Sequence, residues 1–179
     1  MLFVWIVVSI VAALALWLAI WILTSFIVGN SRRQAQFLDG STPSSEPEGF
    51  YKGTAYLLGG GPVPWLGKSF ESSKNLGFNI FTPKGASMLT VMMPFYKQYR
   101  LNADGNTDAF YFKTSTGPGL KDTGTTVFKL DYDSPENPFL IRIILDEMVE
   151  VRPNEFLGKV HMKVFPGYYA TIGFFGLSK

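Results

Sequence analysis

The sequence predicts a single N-terminal transmembrane helix followed by an all-β domain, folded as an antiparallel barrel or half-barrel of about eight strands. The first 28 residues contain no charged side chain, whereas all 16 basic and 14 acidic residues fall between Arg32 and Lys179. From Phe50 onward, short segments of alternating apolar and polar residues are separated by turn residues. These segments show no helical pattern, whereas a βαβ fold would require helices between the strands.

The predicted transmembrane helix covers residues 1–30. A bilayer core about 30 Å thick needs about 20 apolar residues in a helix, and Leu2 to Val28 would extend over roughly 40 Å. The polar side chains of this stretch, Ser9, Thr24 and Ser25, can bond back to helix carbonyls. A signal peptide would need a basic start, an apolar core of about 7–15 residues and a small-residue cleavage site. The stretch lacks the basic start and is too long, so we expect it to remain.

The span offers a face for contacts and an indication of orientation. Trp17 and Trp21 lie four residues apart, and so on one face of a helix, where they would contact lipid or dock against another helix. Arg32 and Arg33 follow directly. Because cytoplasmic flanks are enriched in Lys and Arg, we predict a single-pass protein of the cell membrane with a cytoplasmic β domain. The alternative is a domain on the periplasmic or extracellular side.

The composition excludes several classes of function. The net charge is +2 and the two signs are interspersed, which does not fit a nucleic-acid-binding surface. The chain has no cysteine, and so no disulfide, thiolate zinc site or thiol nucleophile. Because His161 is the only histidine, catalytic triads, dyads and multi-histidine metal sites are excluded as well. The sequence therefore predicts no enzyme, no catalytic residue, no metal and no cofactor.

Residues 31–49 are predicted to form a linker, because Ser, Pro, Gly and acidic residues occur there without apolar periodicity. The β domain follows over residues 50–179. A sheet that closes into a barrel has no exposed edge, which favours closure over an open meander. The predicted strands are Phe50–Leu57, Gly77–Phe81, Tyr96–Asn102, Asp108–Thr114, Thr125–Tyr132, Phe139–Val151, Glu155–Phe165 and Tyr168–Leu177.

Alternation along three of these strands predicts which side chains face inward. In Phe139–Val151 the odd-numbered positions form an apolar face, which Glu147 interrupts. Positions 128, 130 and 132 form the apolar face of the preceding strand. In Glu155–Phe165 the even-numbered positions are apolar, and the opposite face, with Lys159 and His161, is predicted to be solvated. We expect side chains to fill the barrel interior.

Two short patches resemble a known family. Trp65-Leu-Gly-Lys-Ser-Phe70 resembles the W-x-G-K-x-F element of GXWXG-type lipocalin-like domains, and the segment 146–158 resembles their later D-E-x-x…L-G strand pair. Where the family has G-x-W-x-G, this chain has Gly49-Phe-Tyr-Lys-Gly53, with Tyr51 in place of Trp. Those domains are small antiparallel β units, largely without assigned chemistry. The resemblance implies a lipocalin-like fold and says little about a ligand.

Glu147 is the candidate anchor for a ligand. A carboxylate inside a small barrel must be paired, hydrogen-bonded or neutralised, and Arg100 or Lys52 would be its partner. The alternative is that Glu147 lies at a barrel mouth in contact with water. Asp146 and Glu147 are adjacent on a strand and point to opposite faces, so they do not form a two-carboxylate site.

Two apolar segments exceed what the core needs and supply a candidate interface. The segment 86–96 is rich in Met, which adapts to varied partners, and the segment 165–175 has aromatic side chains on both faces. Burial beneath a neighbouring loop is the alternative. With the two tryptophans of the span, the candidate interface residues are Trp17, Trp21, Met88, Met92, Met93, Phe95, Tyr169 and Phe175.

Together these features predict a non-catalytic accessory or structural subunit of a larger integral membrane complex, with respiratory and photosynthetic assemblies both open. Its partners would be integral membrane proteins and not nucleic acid. The alternative function is a membrane-tethered, lipocalin-like carrier that binds a lipid, quinone or pigment in its barrel. A cavity above about 300 Å³, lined by Phe, Ile and Met, would favour the carrier.

Overall fold

The computed structural model describes residues 30–56 and 63–179. The predicted span up to residue 29, with Trp17 and Trp21, lies outside the described residues. Within those two ranges, no helix combines the length and the apolar character that crossing a membrane requires.

The described residues form nine strands and three helices, with a 3-10 turn at Ser72–Lys74. Helix α1 covers residues 30–39, α2 covers Pro83–Met92 and α3 covers Phe139–Arg142. The strands are β1 (Gly49–Ala55), β2 (Trp65–Glu71), β3 (Leu76–Phe81), β4 (Arg100–Leu101), β5 (Thr107–Pro118), β6 (Thr126–Asp131), β7 (Ile144–Arg152), β8 (Glu155–Phe165) and β9 (Tyr168–Ser178).

Eight of the strands close into an antiparallel barrel. They pair in the order β3-β2-β1-β9-β8-β7-β6-β5, and the pairing of β3 with β5 completes the ring. The short strand β4 is attached to the start of β5 outside the ring. Closure pairs the edges that an open sheet would expose. The predicted antiparallel barrel of about eight strands is confirmed.

The two ends of the barrel differ. We call one end the mouth. Four strands finish there (β1, β3, β6 and β8), and four begin there (β2, β5, β7 and β9). Helices α2 and α3 are attached at the same end. The opposite, closed end contains the turns between β2 and β3 and between β7 and β8. Its interior is filled by buried rings that pack mostly edge to face: Tyr51, Phe70, Phe112, Phe128 and Phe156.

A bulge in β2 brings Trp65 and Lys68 to the same side of the strand. The register between β2 and β3 shifts between Trp65 and Gly67. Gly67 has a φ of 146°, and a Cβ atom there would lie 2.0 Å from the carbonyl oxygen of Tyr51, so only glycine fits. Trp65 and Phe70 both pack into the inner core, and the bulge supplies the extra residue that this spacing needs.

Four elements of the β domain differ from the prediction. Of the predicted strand Tyr96–Asn102, only Arg100–Leu101 is a strand, β4. Residues 83–92 form α2 because Pro83 starts the helix and the Thr82 hydroxyl caps it, accepting from the Gly85 backbone N–H over 3.2 Å. Residues 139–142 form α3, following Pro138, where a strand was predicted. Strand β2 was absent from the prediction, because its glycine bulge breaks the simple alternation.

The predicted linker begins with a helix instead. Helix α1 lies on the outer face of the barrel, where Phe37 is fully buried in a second apolar cluster with Val127, Val149, Leu157 and Phe174. Just beyond α1, Ser41 pairs with Glu150 through two backbone hydrogen bonds. One buried aromatic in a short polar stretch is too weak a pattern to predict such packing.

Candidate functional site

A cavity of about 340 Å³ occupies the mouth half of the barrel interior. Its walls are mainly apolar and include Phe81, Phe110, Phe175, Ile141 and Ile144. The prediction of a filled barrel is therefore right for the closed half and wrong for the mouth half. The volume and the Phe and Ile lining meet the condition that favours a carrier, although none of the described Met residues lines the cavity.

Four buried polar side chains meet at the floor of this cavity. Lys68 Nζ donates to Asn79 Oδ1 over 3.0 Å and also to the Tyr132 hydroxyl. It lies 3.0 Å from Asp146 Oδ2, to which the Tyr132 hydroxyl donates over 3.2 Å. Each of the four residues is at most 6% exposed. Lys68 and Asn79 face each other across β2 and β3, while Asp146 comes from β7 on the other side of the barrel.

One acceptor of this cluster has no partner. The contacts above use all three ammonium protons of Lys68. Asn79 Nδ2 donates to the Tyr132 hydroxyl over 3.1 Å, and Asn79 Oδ1 also accepts from Trp65 Nε1 over 3.0 Å. By contrast, Asp146 Oδ1 is buried without a hydrogen-bond partner. The surrounding donors are already engaged, and Asp146 is one of the residues that line the cavity, so this carboxylate still lacks a donor.

Burial and charge set the ionisation of the cluster. Burial lowers the pKa of the Lys68 ammonium, and the Asp146 carboxylate opposes that shift. Burial, together with the charge of Asp146, raises the pKa of the Tyr132 hydroxyl well above its usual value, so Tyr132 stays neutral at pH 7. Aromatic rings surround the ammonium, with centroids 4.9 Å away for Phe175 and 5.5 Å away for Trp65, an arrangement that stabilises a cation.

Phe110, on the cavity wall, has a strained backbone. Its φ of 54° lies in the left-handed region, which costs about 1–3 kcal/mol for such a residue. Two hydrogen bonds hold it there. The Phe110 N–H donates to the Tyr96 hydroxyl over 2.9 Å, and the Phe110 carbonyl accepts from Asn79 Nδ2 over 3.1 Å. Strain of this kind concentrates at binding sites.

A larger groove, of about 560 Å³, runs between Lys52, Leu66 and Asn102. None of the buried polar or charged side chains in the described ranges lines it. A ligand site usually combines apolar walls with a few convergent polar groups. The interior cavity has both, so we take it as the candidate site.

The structure does not place the candidate anchor Glu147 inside the barrel. Its neighbours Asp146 and Met148 point inward, to Lys68 and to the inner core, so Glu147 points outward. It is nevertheless fully buried, because the turn between β5 and β6 folds over it. Glu147 Oε1 accepts from the Leu120 backbone N–H over 2.6 Å. The group that could anchor a ligand is therefore Asp146, on the face that was predicted to be the polar one.

The face of β8 that was predicted to be solvated is also buried. Lys159 pairs with Asp122, and its Nζ lies 4.0 Å from the centroid of the Phe37 ring. His161 is fully buried, with Nε2 3.1 Å from Glu147 Oε2. Alternation identified the two faces of β8 correctly, but it could not show that α1 and a turn cover the outer one.

The candidate interface residues divide by exposure. Three are exposed on α2 or just after it: Met88, Met92 and Phe95. Met93 packs against the inner core, and Tyr169 is partly buried near the turn between β8 and β9. Phe175 is buried inside the barrel, 5.9 Å from the Trp65 ring, so it is not available to a partner, contrary to the prediction.

Lys68 and Asp146 are not among the site residues predicted from the sequence, where Lys68 is noted only as part of the W-x-G-K-x-F element. A usable signal was present, because Lys68 shares a face with Phe70, and Asp146 shares a face with Met148. When a cation on one strand and an anion on another each share a face with buried apolar residues, the two charges are expected to pair inside the protein.

In the described ranges, no group of three or more His, Asp or Glu side chains is arranged to hold a metal ion. Comparisons of the chain with protein-family models, curated proteins and solved structures gave no match. The geometry of the cavity is therefore the basis for the functional proposal.

Proposed function

We propose that this protein is a membrane-tethered, lipocalin-like carrier that binds a mainly apolar molecule in the mouth half of its barrel. The observation that carries the proposal is an apolar cavity that the Asp146 carboxylate helps to line, with its Oδ1 buried and without a hydrogen-bond partner. A buried acceptor without a partner costs about 1–3 kcal/mol. A ligand that donates a hydrogen bond to Asp146 would recover this free energy, while its apolar part covers the aromatic walls.

The chemistry of the site restricts the ligand. A water-sized group takes up about 30 Å³, so the cavity of about 340 Å³ has room for roughly eleven such groups. A longer molecule would extend from the mouth. A ligand carboxylate would meet the negative charge of Asp146, and a quinone has only acceptors. A neutral hydroxyl fits better, as in a fatty alcohol, a sterol or a quinol.

Photolabelling tests the proposal within the membrane. The full-length protein in lipid nanodiscs is irradiated with a long-chain alcohol that carries a diazirine near its hydroxyl, and the labelled residues are mapped by mass spectrometry. We expect labelling of cavity residues on β2 and β7, and competition by decanol. Val160 lines the cavity, so Val160→Trp should reduce this labelling by about tenfold or more, equivalent to at least 1.4 kcal/mol, because the indole occupies the ligand's space.

Val164→Trp is the matched control, since Val164 lies on the same strand but is exposed and outside the cavity. It should label like the wild type. Circular dichroism confirms that both variants are folded. Equal cavity labelling in the two variants, or labelling confined to the outer surface, would refute the carrier.

The accessory subunit is the second candidate function. Exposed Met92 and Phe95 favour it, because adaptable apolar surfaces are used to contact partners. Purification in a mild detergent distinguishes the two candidates. Stable co-purifying membrane subunits would support the accessory role, whereas a lone monomer that still takes up the alcohol would support the carrier.

A further inference from the structure

The mouth end of the barrel exposes a continuous apolar surface. We call it the mouth surface, and its six side chains, 49–92% exposed, are Met88, Val91, Met92, Phe95, Phe139 and Leu140. They belong to α2, to the segment after it and to α3. The end of α2 and the start of α3 border one groove, so the residues form a single surface. Single exposed apolar residues are ordinary, but a contiguous group of this kind marks a contact site.

Helix α2 has apolar side chains on both sides. Leu89 and Met93 pack against the inner core, while Val91 and Met92 are exposed. The exposed Ser87 and Thr90 hydroxyls donate back to carbonyls of the same helix. A helix between a protein core and water normally has polar residues on its outer face, so the exposed apolar side chains at the end of α2 are suited to contact with an apolar medium.

Helix α1, followed toward its N-terminal side, points toward the same end of the barrel. Gly40, after α1, lies against Val149 near the closed end. Arg33, one and a half turns before the end of α1, lies 4.1 Å from the centroid of Tyr56, the residue that follows β1 at the mouth. Followed toward its start, α1 thus rises toward the mouth, and the uncharged residues 1–28 precede it.

The charges near the mouth surface are mixed. Lys84 and Lys97 are exposed beside it. On the acidic side, Glu136 borders the same groove, and exposed Asp133, close to the end of β6, pairs with Arg142. Exposed lysines beside apolar side chains can contact anionic headgroups where a protein lies on a bilayer.

We propose that the mouth surface lies on the bilayer that the N-terminal span is predicted to cross, so that the cavity opens toward lipid. A hydrophobic molecule would then pass between the bilayer and the cavity without crossing water. This inference rests on the membrane tether of the proposed function and adds the orientation of the barrel. A second protein or a second copy of this chain on the mouth surface is the competing occupant.

Fluorescence quenching tests the orientation, and the absence of cysteine makes single-site labelling direct. Val91→Cys places a bimane label on the mouth surface, and Ser73→Cys places one in the exposed turn at the closed end. The full-length variants are reconstituted in phosphatidylcholine vesicles with a minor fraction of phosphatidylglycerol. Part of the lipid carries a nitroxide near the headgroup. We expect lipid quenching and protection from iodide at position 91, and quenching by iodide alone at position 73.

A second variant keeps the test independent of labelling artefacts. Phe95→Asp with Leu140→Asp places charges on two exposed positions of the mouth surface, where they should not disturb folding. In the Val91→Cys background, this change should abolish most of the lipid quenching, while the protein stays with the vesicles.

The outcomes separate the proposals. Equal lipid quenching at positions 91 and 73 would overturn the orientation. Protection of position 91 from both quenchers would also overturn it, because protein would then cover the mouth surface. Release of the chain from the vesicles at alkaline pH would overturn the tether and the orientation with it. Photolabelling of the cavity depends on neither result, so the carrier function is judged separately.

Discussion

Lys68 and Asp146 place two opposite charges 3.0 Å apart inside the barrel. Removing two charges from water is costly, and a buried ion pair is often no more stabilising than apolar residues of the same size. The pair therefore needs a reason other than stability. Its geometry supplies one, because Lys68 and Tyr132 both contact Asp146 Oδ2 and leave Oδ1 without a partner in a residue that lines the cavity.

A double-mutant cycle tests this view of the ion pair. Lys68→Met leaves Asp146 as an unpaired buried charge, and Asp146→Leu leaves Lys68 unpaired, so each should destabilise the protein by about 3–5 kcal/mol. The double variant removes both charges and should cost much less than the sum of the two. Chemical unfolding followed by circular dichroism measures all four free energies. Additive losses would contradict the strong coupling that the 3.0 Å contact implies.

At this scale the sequence predicts side-chain direction better than burial. Alternation correctly predicts that the side chains of Asp146 and Glu147 point to opposite faces of the strand. It assigns them to the wrong sides of the barrel, because the face that contains Ile143 and Leu145 contains more apolar residues than the face that contains Asp146. The turn that buries Glu147 and the helix that covers Lys159 come from distant segments. Local alternation has no information about such contacts.

Helix α1 connects the predicted span to the barrel through one fully buried side chain. Phe37 lies between the outer faces of β6, β7, β8 and β9, and Gln34 donates to Asp122 over 3.1 Å. Because this contact fixes α1 along the barrel wall, it also fixes the end of the barrel toward which the N-terminal side of α1 points.

Truncating Phe37 should loosen this contact. Phe37→Ala removes a fully buried ring, so we expect a loss of about 3–5 kcal/mol in the free energy of unfolding. Leu38→Ala is the matched control, because Leu38 is the next residue on α1 and is 49% exposed; its effect should stay within about 0.5–1 kcal/mol. Chemical unfolding measures both. Similar losses in the two variants would show that α1 is not packed on the barrel as described.

Among the elements, hairpins were more predictable than helices. Strands β8 and β9 match the prediction to within a residue, since clear alternation continues on both sides of Pro166-Gly167. Helix α2 was missed although Thr82 and Pro83 form a recognisable helix start, because its Met-rich sequence was interpreted only as a candidate interface. Helix α3 is one turn long, which is too short for a periodic signal.

For the whole molecule, turn residues and alternation were sufficient to predict an antiparallel barrel or half-barrel, and the pairing of β3 with β5 shows that it closes. They could not predict the cavity, which depends on how side chains from eight strands share one interior. Large rings such as Phe70 and Phe112 fill the closed half, whereas a buried polar cluster occupies the middle and leaves the mouth half open. The division into a filled half and an open half is the feature that changes the favoured function from accessory subunit to carrier.

The most direct test of the central claim compares two competitors that differ in one hydrogen-bond donor. Decanol and decyl methyl ether are titrated, at matched mole fractions in the nanodisc, against photolabelling of the cavity in the wild-type protein. Because decanol has a hydroxyl to donate to Asp146 and the ether has none, the proposal predicts that decanol competes at a concentration about 5- to 150-fold lower, equivalent to about 1–3 kcal/mol. Equal competition by the ether, or no competition by either molecule, would contradict the proposed site.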